Sequence, residues 1–376
     1  MKKVLFIFGT RPEAIKMAPL VIEFKKNPTI DVKICVTGQH REMLDQVLHF
    51  FKIVPDYDLN IMKRQQSLGA ITCSILTSLD EILAESMPDH VFVHGDTTTT
   101  FAASLASFYQ KIKVWHIEAG MRTWNMESPF PEEGNRHLTS KLAFFHAAPT
   151  YQAKNNLLRE NVNKKNIIVT GNTVIDALLI GIKKIEESSS SFLEIAKLKT
   201  QLNLHKKIIL VTLHRRDNQG EILRTICDDI KQLAQEHDDI EIVFPVHMSP
   251  RIRDVVNDKL SGMVNIKLIE PLAYPGFIWL MNNAYFILSD SGGVQEEAPS
   301  LKKPVLIARD TTERPEVIDN GAAMLVDPRI TNNIYLSCKK LLLDEDLYAK
   351  MSQAGNPFGD GTASKKILDY FISMEL

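Results

Sequence analysis

Short apolar runs rich in β-branched residues alternate with longer amphipathic stretches along this chain, and the rhythm occurs twice. Residues 4–8, 32–36, 90–94, 113–117 and 167–170 read as buried strands. Between them, 14–26, 41–51, 67–85 and 98–109 carry apolar residues at i, i+3 and i+4, which predicts helices. The pattern restarts with strands at 208–213, 240–245, 266–269, 284–288 and 304–307, separated by helices that include 221–236 and 293–300. Strands separated by helices imply βαβ units and parallel sheets, so the expected fold class is α/β with two doubly wound domains in sequence. The joint is expected within 171–204, which holds a polar run at 186–191. A last helix is expected at 365–373, after a Gly- and Pro-rich turn, and the sequence does not say which domain it packs on. The two halves share a pattern, not a residue-level repeat.

Length agrees with this division, since 376 residues suit two domains at about 150 residues each. Lys and Arg number 44 against 46 Asp and Glu, a net charge of −2. That balance argues against a nucleic-acid partner, because polyanion binders concentrate basic residues to displace counterions. It leaves room for small anions held by a few local donors. The 44% hydrophobic content supplies a core for each domain and excludes disorder as the dominant state. Cys35, Cys73, Cys227 and Cys338 lie far apart with no C-x-x-C pair, which argues against a disulfide framework or a structural zinc and for a reducing compartment. The apolar start at 4–8 stops too soon for a secretory signal, and no stretch approaches the ~18 apolar residues of a membrane helix. A cytoplasmic protein with no membrane partner is expected.

In open parallel sheets, ligands bind beyond the carboxyl ends of the strands, and the unusual residues of this chain fall there. Gly9-Thr10-Arg11-Pro12-Glu13 follows the first strand and has the features of a capped helix start. Capping does not explain Arg11, a cation at a positive helix terminus; an anionic ligand would. Ser289-Asp290-Ser291-Gly292-Gly293 precedes another helix start, where backbone N–H groups and the Ser291 hydroxyl suit a diphosphate. The stretch matches neither a Walker A loop nor a G-x-G-x-x-G fingerprint, so ATP-type and dinucleotide sites lose support. Glu297, one turn in, either accepts from ribose hydroxyls or is an exposed first-turn carboxylate. His214-Arg215-Arg216 and Arg314 also follow strands and place cations on the same rim, facing either solvent or an anion.

An acidic set accompanies them. Asp96 and Glu118 each end a first-domain strand, and Glu132 and Glu133 follow in Pro131-Glu132-Glu133-Gly134. Asp96 reads either as a helix cap or as a functional carboxylate. Glu118, directly after an apolar strand, calls for a partner. Carboxylates clustered at one site can hold raised and separated pKa values, as acid and base roles need. The eleven histidines show no ligand spacing on a helix, so no metal site is expected. The absence of G-x-S-x-G argues against a serine hydrolase.

These motifs together resemble the non-hydrolysing UDP-N-acetylglucosamine 2-epimerases. The likeness is carried by Gly9 to Pro19, His94-Gly95-Asp96-Thr97-Thr98-Thr99, His116-Ile117-Glu118-Ala119-Gly120, Pro129 to Glu133, His214-Arg215-Arg216, Asp290 to Pro299 and Asp310 to Glu316. It runs in order from residue 3 to about 370. The resemblance implies a glycosyltransferase-B-like fold, with two Rossmann-like domains facing a central cleft. The implied domains are 1–170, rejoined by a C-terminal helix at 363–376, and a UDP-binding domain at 171–362. It implies reversible epimerisation of UDP-N-acetylglucosamine to UDP-N-acetylmannosamine, by elimination of UDP to a 2-acetamidoglucal and re-addition. No cofactor, neither nicotinamide nor metal, is required. A cytoplasmic homodimer supplying bacterial envelope polysaccharide synthesis is the implied setting.

By motif position the resemblance makes Asp96, Glu118 and Glu132 the acid/base carboxylates, with His214 completing the catalytic set. It does not say which carboxylate serves which face of C2. Arg11, His214, Ser291, Gly292 and Gly293 would hold the diphosphate, Glu297 the ribose, and Phe277 would lie by the uracil. Lys16, Arg136 and Arg314 would position sugar or phosphate, or orient the carboxylates. Some family members are activated by substrate at a neighbouring site, for which Gln39, Arg215 and His247 are the matching positions. The chain departs from the family pattern at Trp124, Leu213, Asp217, Gln219 and Ala273. A hydrolysing epimerase, a glycosyltransferase and a catalytically silent nucleotide-sugar sensor are the alternatives; hydrolysing relatives diverge from the Arg11-Pro12-Glu13 and Pro131-Glu132-Glu133 patterns kept here, the acidic loops leave no acceptor role for a transferase, and a sensor has no need of the carboxylates.

Overall fold

The computed structural model describes residues 1–38, 41–62, 66–188 and 192–375. The chain divides into two compact units, one of Met1–Ala177 with Phe358–Leu376 and one of Leu178–Pro357. Unit 1 holds a parallel sheet of β1 (Lys2–Phe8), β2 (Ile30–Val36), β3 (Tyr57–Asp58), β4 (His90–His94), β5 (Lys113–Ile117), β6 (Phe145–Ala148) and β7 (Ile167–Val169). Unit 2 holds β8 (Lys207–Thr212), β9 (Ile240–Pro245), β10 (Ile266–Ile269), β11 (Phe286–Ser289), β12 (Val305–Ile307) and β13 (Ala323–Leu325). The strand orders are β3-β2-β1-β4-β5-β6-β7 and β10-β9-β8-β11-β12-β13. Both begin as the doubly wound 3-2-1-4-5-6 order, which has its switch point beside the first strand. The expected α/β class holds in both units, and each is Rossmann-like.

Alternation along the strands sends two sets of side chains to opposite faces. In unit 1, Leu5, Ile7, Val91, Val93 and Val114 pack with Ile75, Leu79 and Leu83 of helix Leu68–Ser86 and the alanines of helix Thr98–Tyr109. The other face carries a ladder of rings. Phe6 pairs in register with Phe92, Phe92 with Trp115, and Trp115 with Phe145. Their centroids are 4.9, 5.2 and 4.4 Å apart. Phe24 of helix Arg11–Lys25 and Phe371 of the terminal helix Ala363–Glu375 cover this ladder, each within 5.5 Å of a ladder ring. Each such buried ring contributes about 1.5–3 kcal/mol, so the last helix is a structural part of unit 1.

Strands β3, β6 and β13 and helices such as Glu132–Leu142, Tyr151–Arg159, Pro250–Leu260 and Asn333–Leu343 were not evident from periodicity. The short strands are two to four residues long, too brief for a period of two to show. The stretch 171–204 contains the helices Thr173–Glu187 and Leu193–Gln201, and the division between units falls inside the first. Asp176 in that helix accepts from the N–H groups of Ala363 and Ser364, at 3.2 and 2.8 Å, and so caps the terminal helix. Among the described residues no helix is long and apolar enough to cross a membrane.

Candidate functional site

In unit 1 one buried carboxylate joins two strand-end loops. Glu13 Oε2 accepts from the N–H groups of Gly9 and Thr10 at 3.0 and 2.7 Å, completing a capping box with Thr10. Its Oε1 accepts from the hydroxyls of Thr97 and Thr100 at 2.7 and 3.2 Å, which ties the loop after β1 to the loop after β4. Thr37, just past β2, approaches Thr99 hydroxyl to hydroxyl at 2.9 Å. A Cβ on Gly9 would lie 1.9 Å from Thr37 Oγ1, so this closure needs glycine. Arg11 emerges from it half-buried, with no hydrogen bond or ion pair from its guanidinium to another described residue. Burial lowers its pKa, the electrostatic condition that a bound anion would relieve.

Thr97, not Asp96, caps helix Thr98–Tyr109, its hydroxyl accepting from Thr100 N–H at 3.1 Å. The cap reading of Asp96 is therefore set aside. The Asp96 carboxylate instead accepts from Arg136 Nε at 2.9 Å and pairs with Nη2 at 2.7 Å. The same guanidinium reaches Glu133 Oε2 at 3.0 Å. Glu133 is fully buried and also accepts from Thr123 and Trp124 N–H groups at 3.0 and 2.9 Å. Burial opposes ionisation there, but these donors and Arg136 hold its pKa below the ordinary value. Glu132, the next residue on the chain, is half-buried, and its carboxylate has no such partner among the described residues.

Glu118 lies just beyond β5 with φ 61°, a left-handed backbone that costs about 1–3 kcal/mol in a non-glycine residue. The conformation turns its side chain into a cluster: Lys16 Nζ donates to Oε2, Asn172 Nδ2 donates to the same atom at 2.7 Å, and His94 Nε2 stands 3.6 Å away. Burial alone would raise the pKa, but the charges of Lys16 and His94 hold it well below the carboxylate range. The partner that the sequence called for beside Glu118 is thus Lys16, which stands one helical turn into Arg11–Lys25. Behind the cluster, His116 bonds the carbonyl of Gly95 at 2.7 Å. Burial pushes its pKa down to about 3 and that of neighbouring His146 to about 4.

In unit 2 the corresponding centre is Asp290, fully buried at the end of β11. It accepts from the backbone N–H groups of His214 and Arg215, at 3.1 and 3.0 Å, and from Asn218 Nδ2 at 3.0 Å. His214 Nδ1 lies 2.8 Å from its other oxygen. Burial works to raise the Asp290 pKa, and His214 with the backbone donors more than reverses it. The pairing fixes the imidazole of His214 while leaving the ring about half exposed. The ring stacks with His247 at 6.4 Å. Ser291 opens the short helix Gly292–Glu297. A Cβ on Gly292 would lie 2.5 Å from Arg314 Nη1, so the guanidinium packs against the turn only because glycine is there. Arg314 Nε is held by buried Glu296 at 2.5 Å. Arg215, the matching position for a second site, shares Glu313 with Arg309 and Arg314.

Phe277 is half-buried on helix Tyr274–Asn283, whose N-cap is Ala273 with no side-chain cap. Glu194 takes that role from another helix: its Oε1 accepts from Ala273 N–H at 3.2 Å. Glu297 lies near enough to Tyr274 to reinforce the rise in the tyrosine pKa that burial causes. Among the described residues, no group of three or more His, Cys, Asp or Glu side chains is arranged to hold a metal ion.

The family model for UDP-N-acetylglucosamine 2-epimerase matches residues 22–372. The chain belongs to that family. A UDP-N-acetylglucosamine 2-epimerase of Salmonella borreze is 84% identical over 375 residues, spanning 100% of this chain and 99% of the relative. That of Escherichia coli K12 is 54% identical, with 98% and 97% covered. The crystal structure of the Neisseria meningitidis UDP-GlcNAc 2-epimerase bound to UDP-GlcNAc matches at 51% identity and a TM-score of 0.90, over 99% of this chain and 100% of that one. The fold class is accordingly the glycosyltransferase-B-like one of these epimerases.

Within this epimerase-family chain, Arg11, Lys16, Asp96, Glu118 and Arg136 are gathered at the carboxyl ends of β1, β4 and β5 in unit 1. His214, Ser291, Gly292, Gly293 and Arg314 are gathered at the ends of β8 and β11 in unit 2. Gln39 lies outside the described residues. Sequence reasoning missed Glu13 as a bridge, His94 and Asn172 beside Glu118, Asp290 as the anchor of His214, and Glu194 as a borrowed cap. Each pairing spans tens of residues, and only the strand-end positions of His94, Asn172 and Asp290 gave a signal. The left-handed backbone of Trp124, at φ 60°, accounts for the glycine that the resemblance leads one to expect there. The tryptophan offsets the strain by receiving Arg159 over its ring at 4.6 Å. Leu213 is buried in the unit 2 core.

Proposed function

We propose that this chain interconverts UDP-N-acetylglucosamine and UDP-N-acetylmannosamine without net hydrolysis. A carboxylate takes the C2 proton, the freed electron pair forms the C1–C2 double bond of a 2-acetamidoglucal, and the C1–O bond breaks toward UDP. Re-addition with protonation on the other face of C2 completes the epimerisation. The observation that carries this reading is Glu118, held ionised by Lys16 and His94 at a strand end where nothing in the packing requires a charge. Asp96, oriented by Arg136, and Glu132 supply the remaining acid/base capacity. His214, Arg314 and the N–H groups at Ser291–Gly293 stabilise the departing diphosphate, and Arg11 is a further cation for it. Glu297 and Phe277 take ribose and uracil. The enzyme acts as a cytoplasmic homodimer with no cofactor, metal or nucleic acid, and its product enters envelope polysaccharide synthesis. Gln39, Arg215 and His247 form the second substrate contact if the chain is self-activated.

Incubation with UDP-N-acetylglucosamine in D2O tests this. Deuterium at C2 with the UDP linkage retained is the expected result, with UDP-N-acetylmannosamine as the minority product. Stoichiometric free UDP and free sugar would establish hydrolysis instead, and no exchange at all would leave a transferase or a sensor. Glu118→Gln should abolish exchange while UDP still binds.

A further inference from the structure

A basic hollow lies at the opposite end of the unit 2 strands, where the central β8 and β11 begin. It measures about 270 Å³ and is lined chiefly by His205, Lys206, Lys207, Lys303, Tyr285 and Tyr348. No carboxylate is among its lining residues, which is unusual in a chain whose net charge is −2. Lys207 opens β8 and His214 follows that strand's end, so about 20 Å separates the hollow from the diphosphate loops.

Its floor is rigid. Tyr285 and Tyr348 stack with centroids 4.1 Å apart and planes 4° from parallel, and the Tyr348 hydroxyl donates to the Tyr285 carbonyl at 3.0 Å. Lys207 Nζ lies 4.9 Å above the Tyr285 ring. The ammonium groups of Lys206, Lys207 and Lys303 make no hydrogen bond or ion pair with any described residue. Lys303 is half-buried, and its burial lowers its pKa. The nearest carboxylate influence is Glu345, acting on Tyr285 from outside the lining. Unpaired ammoniums converging on one hollow repel one another, and a multiply charged anion removes that repulsion. The donors are lysines and a histidine with no arginine fork, which suits tetrahedral phosphate oxygens better than a planar carboxylate.

We propose that this hollow is a binding site for a small diphosphate, formed by Lys206, Lys207, Lys303 and His205 and independent of the proposed active site. Titration calorimetry with inorganic pyrophosphate tests it, on the full chain carrying one equivalent of UDP so that the active site is filled and the hollow is left open; a parallel arm with adenosine diphosphate separates free from nucleotide-borne diphosphate. One additional equivalent should bind in at least one arm. Lys303→Gln should weaken it about tenfold or more, and Lys206→Ala should weaken it likewise, with UDP affinity unchanged in both. Lys206→Ala removes a half-buried charge that precedes β8 and stacks on no ring, which keeps the test sound if Lys303→Gln folds poorly. Absence of binding in both arms, or equal binding in wild type and both variants, would overturn the proposal. Response only to a long polyanion such as heparin would also overturn it. Should UDP itself fail to bind, the active-site reading falls, while the lysine variants still decide this one.

Discussion

Lys16 and Glu118 are 102 residues apart in sequence, yet the lysine ammonium donates directly to the carboxylate. Helix Arg11–Lys25 and the end of β5 meet because β4 alone separates β1 from β5 in the sheet. With His94, the contact favours the ionised form of a carboxylate whose burial favours the neutral one.

Replacing Lys16 with Met should therefore raise the Glu118 pKa, since the desolvation that remains favours the protonated form. Below its new pKa the base is lost. The acid limb of the kcat profile for C2 exchange should move to higher pH, with UDP affinity nearly constant. An unshifted limb would show that Lys16 does not set the ionisation of the working base.

Asp290→Asn tests the anchor of His214. The amide can still accept from the backbone N–H groups, but it offers Nδ1 of the ring no ionised acceptor. Loss of the fixed tautomer should lower kcat by on the order of 10²-fold or more, as in other Asp–His pairs, with a smaller change in UDP binding. Steady-state kinetics beside UDP titration separates the two effects.

Acid should destabilise unit 1 through His116 and His146. Their folded pKa values, about 3 and about 4, lie below the ordinary 6.5. Each neutral imidazole thus contributes stability that is fully present above pH 6.5 and lost as pH falls toward the folded value. For His146 the loss by pH 4 is on the order of 3 kcal/mol. Urea midpoints measured from pH 7 to 4 should fall steadily, and His146→Leu should flatten part of that slope.

Phe371→Ala should cost about 3–5 kcal/mol, the usual loss for an aromatic removed from a packed core. The ring contacts Phe24, Phe92 and Trp115, so the loss should appear in the unfolding of unit 1. A change below 1 kcal/mol would mean that the terminal helix contributes little to that core.

The α/β class and both parallel sheets were legible in the sequence because hydrophobic period is a local property, readable wherever a strand or helix is long enough. The motif-bearing loops were legible for a related reason: strand ends are where irregular polar residues stand out against apolar runs. What the tertiary structure alone decided are relations between distant positions. By its residue pattern the terminal helix could have packed on either domain, and only the family resemblance favoured the first; Phe371 against the ring ladder and Asp176 at its N-terminus assign it to unit 1. Asp96 read as either cap or functional group until Thr97 took the cap and Arg136 took Asp96. Glu118 called for a partner from its place after an apolar strand, but which groups would supply it was open until Lys16 and His94 arrived from other elements. Periodicity records which face of an element is buried; the charge that meets a buried carboxylate depends on which elements become neighbours.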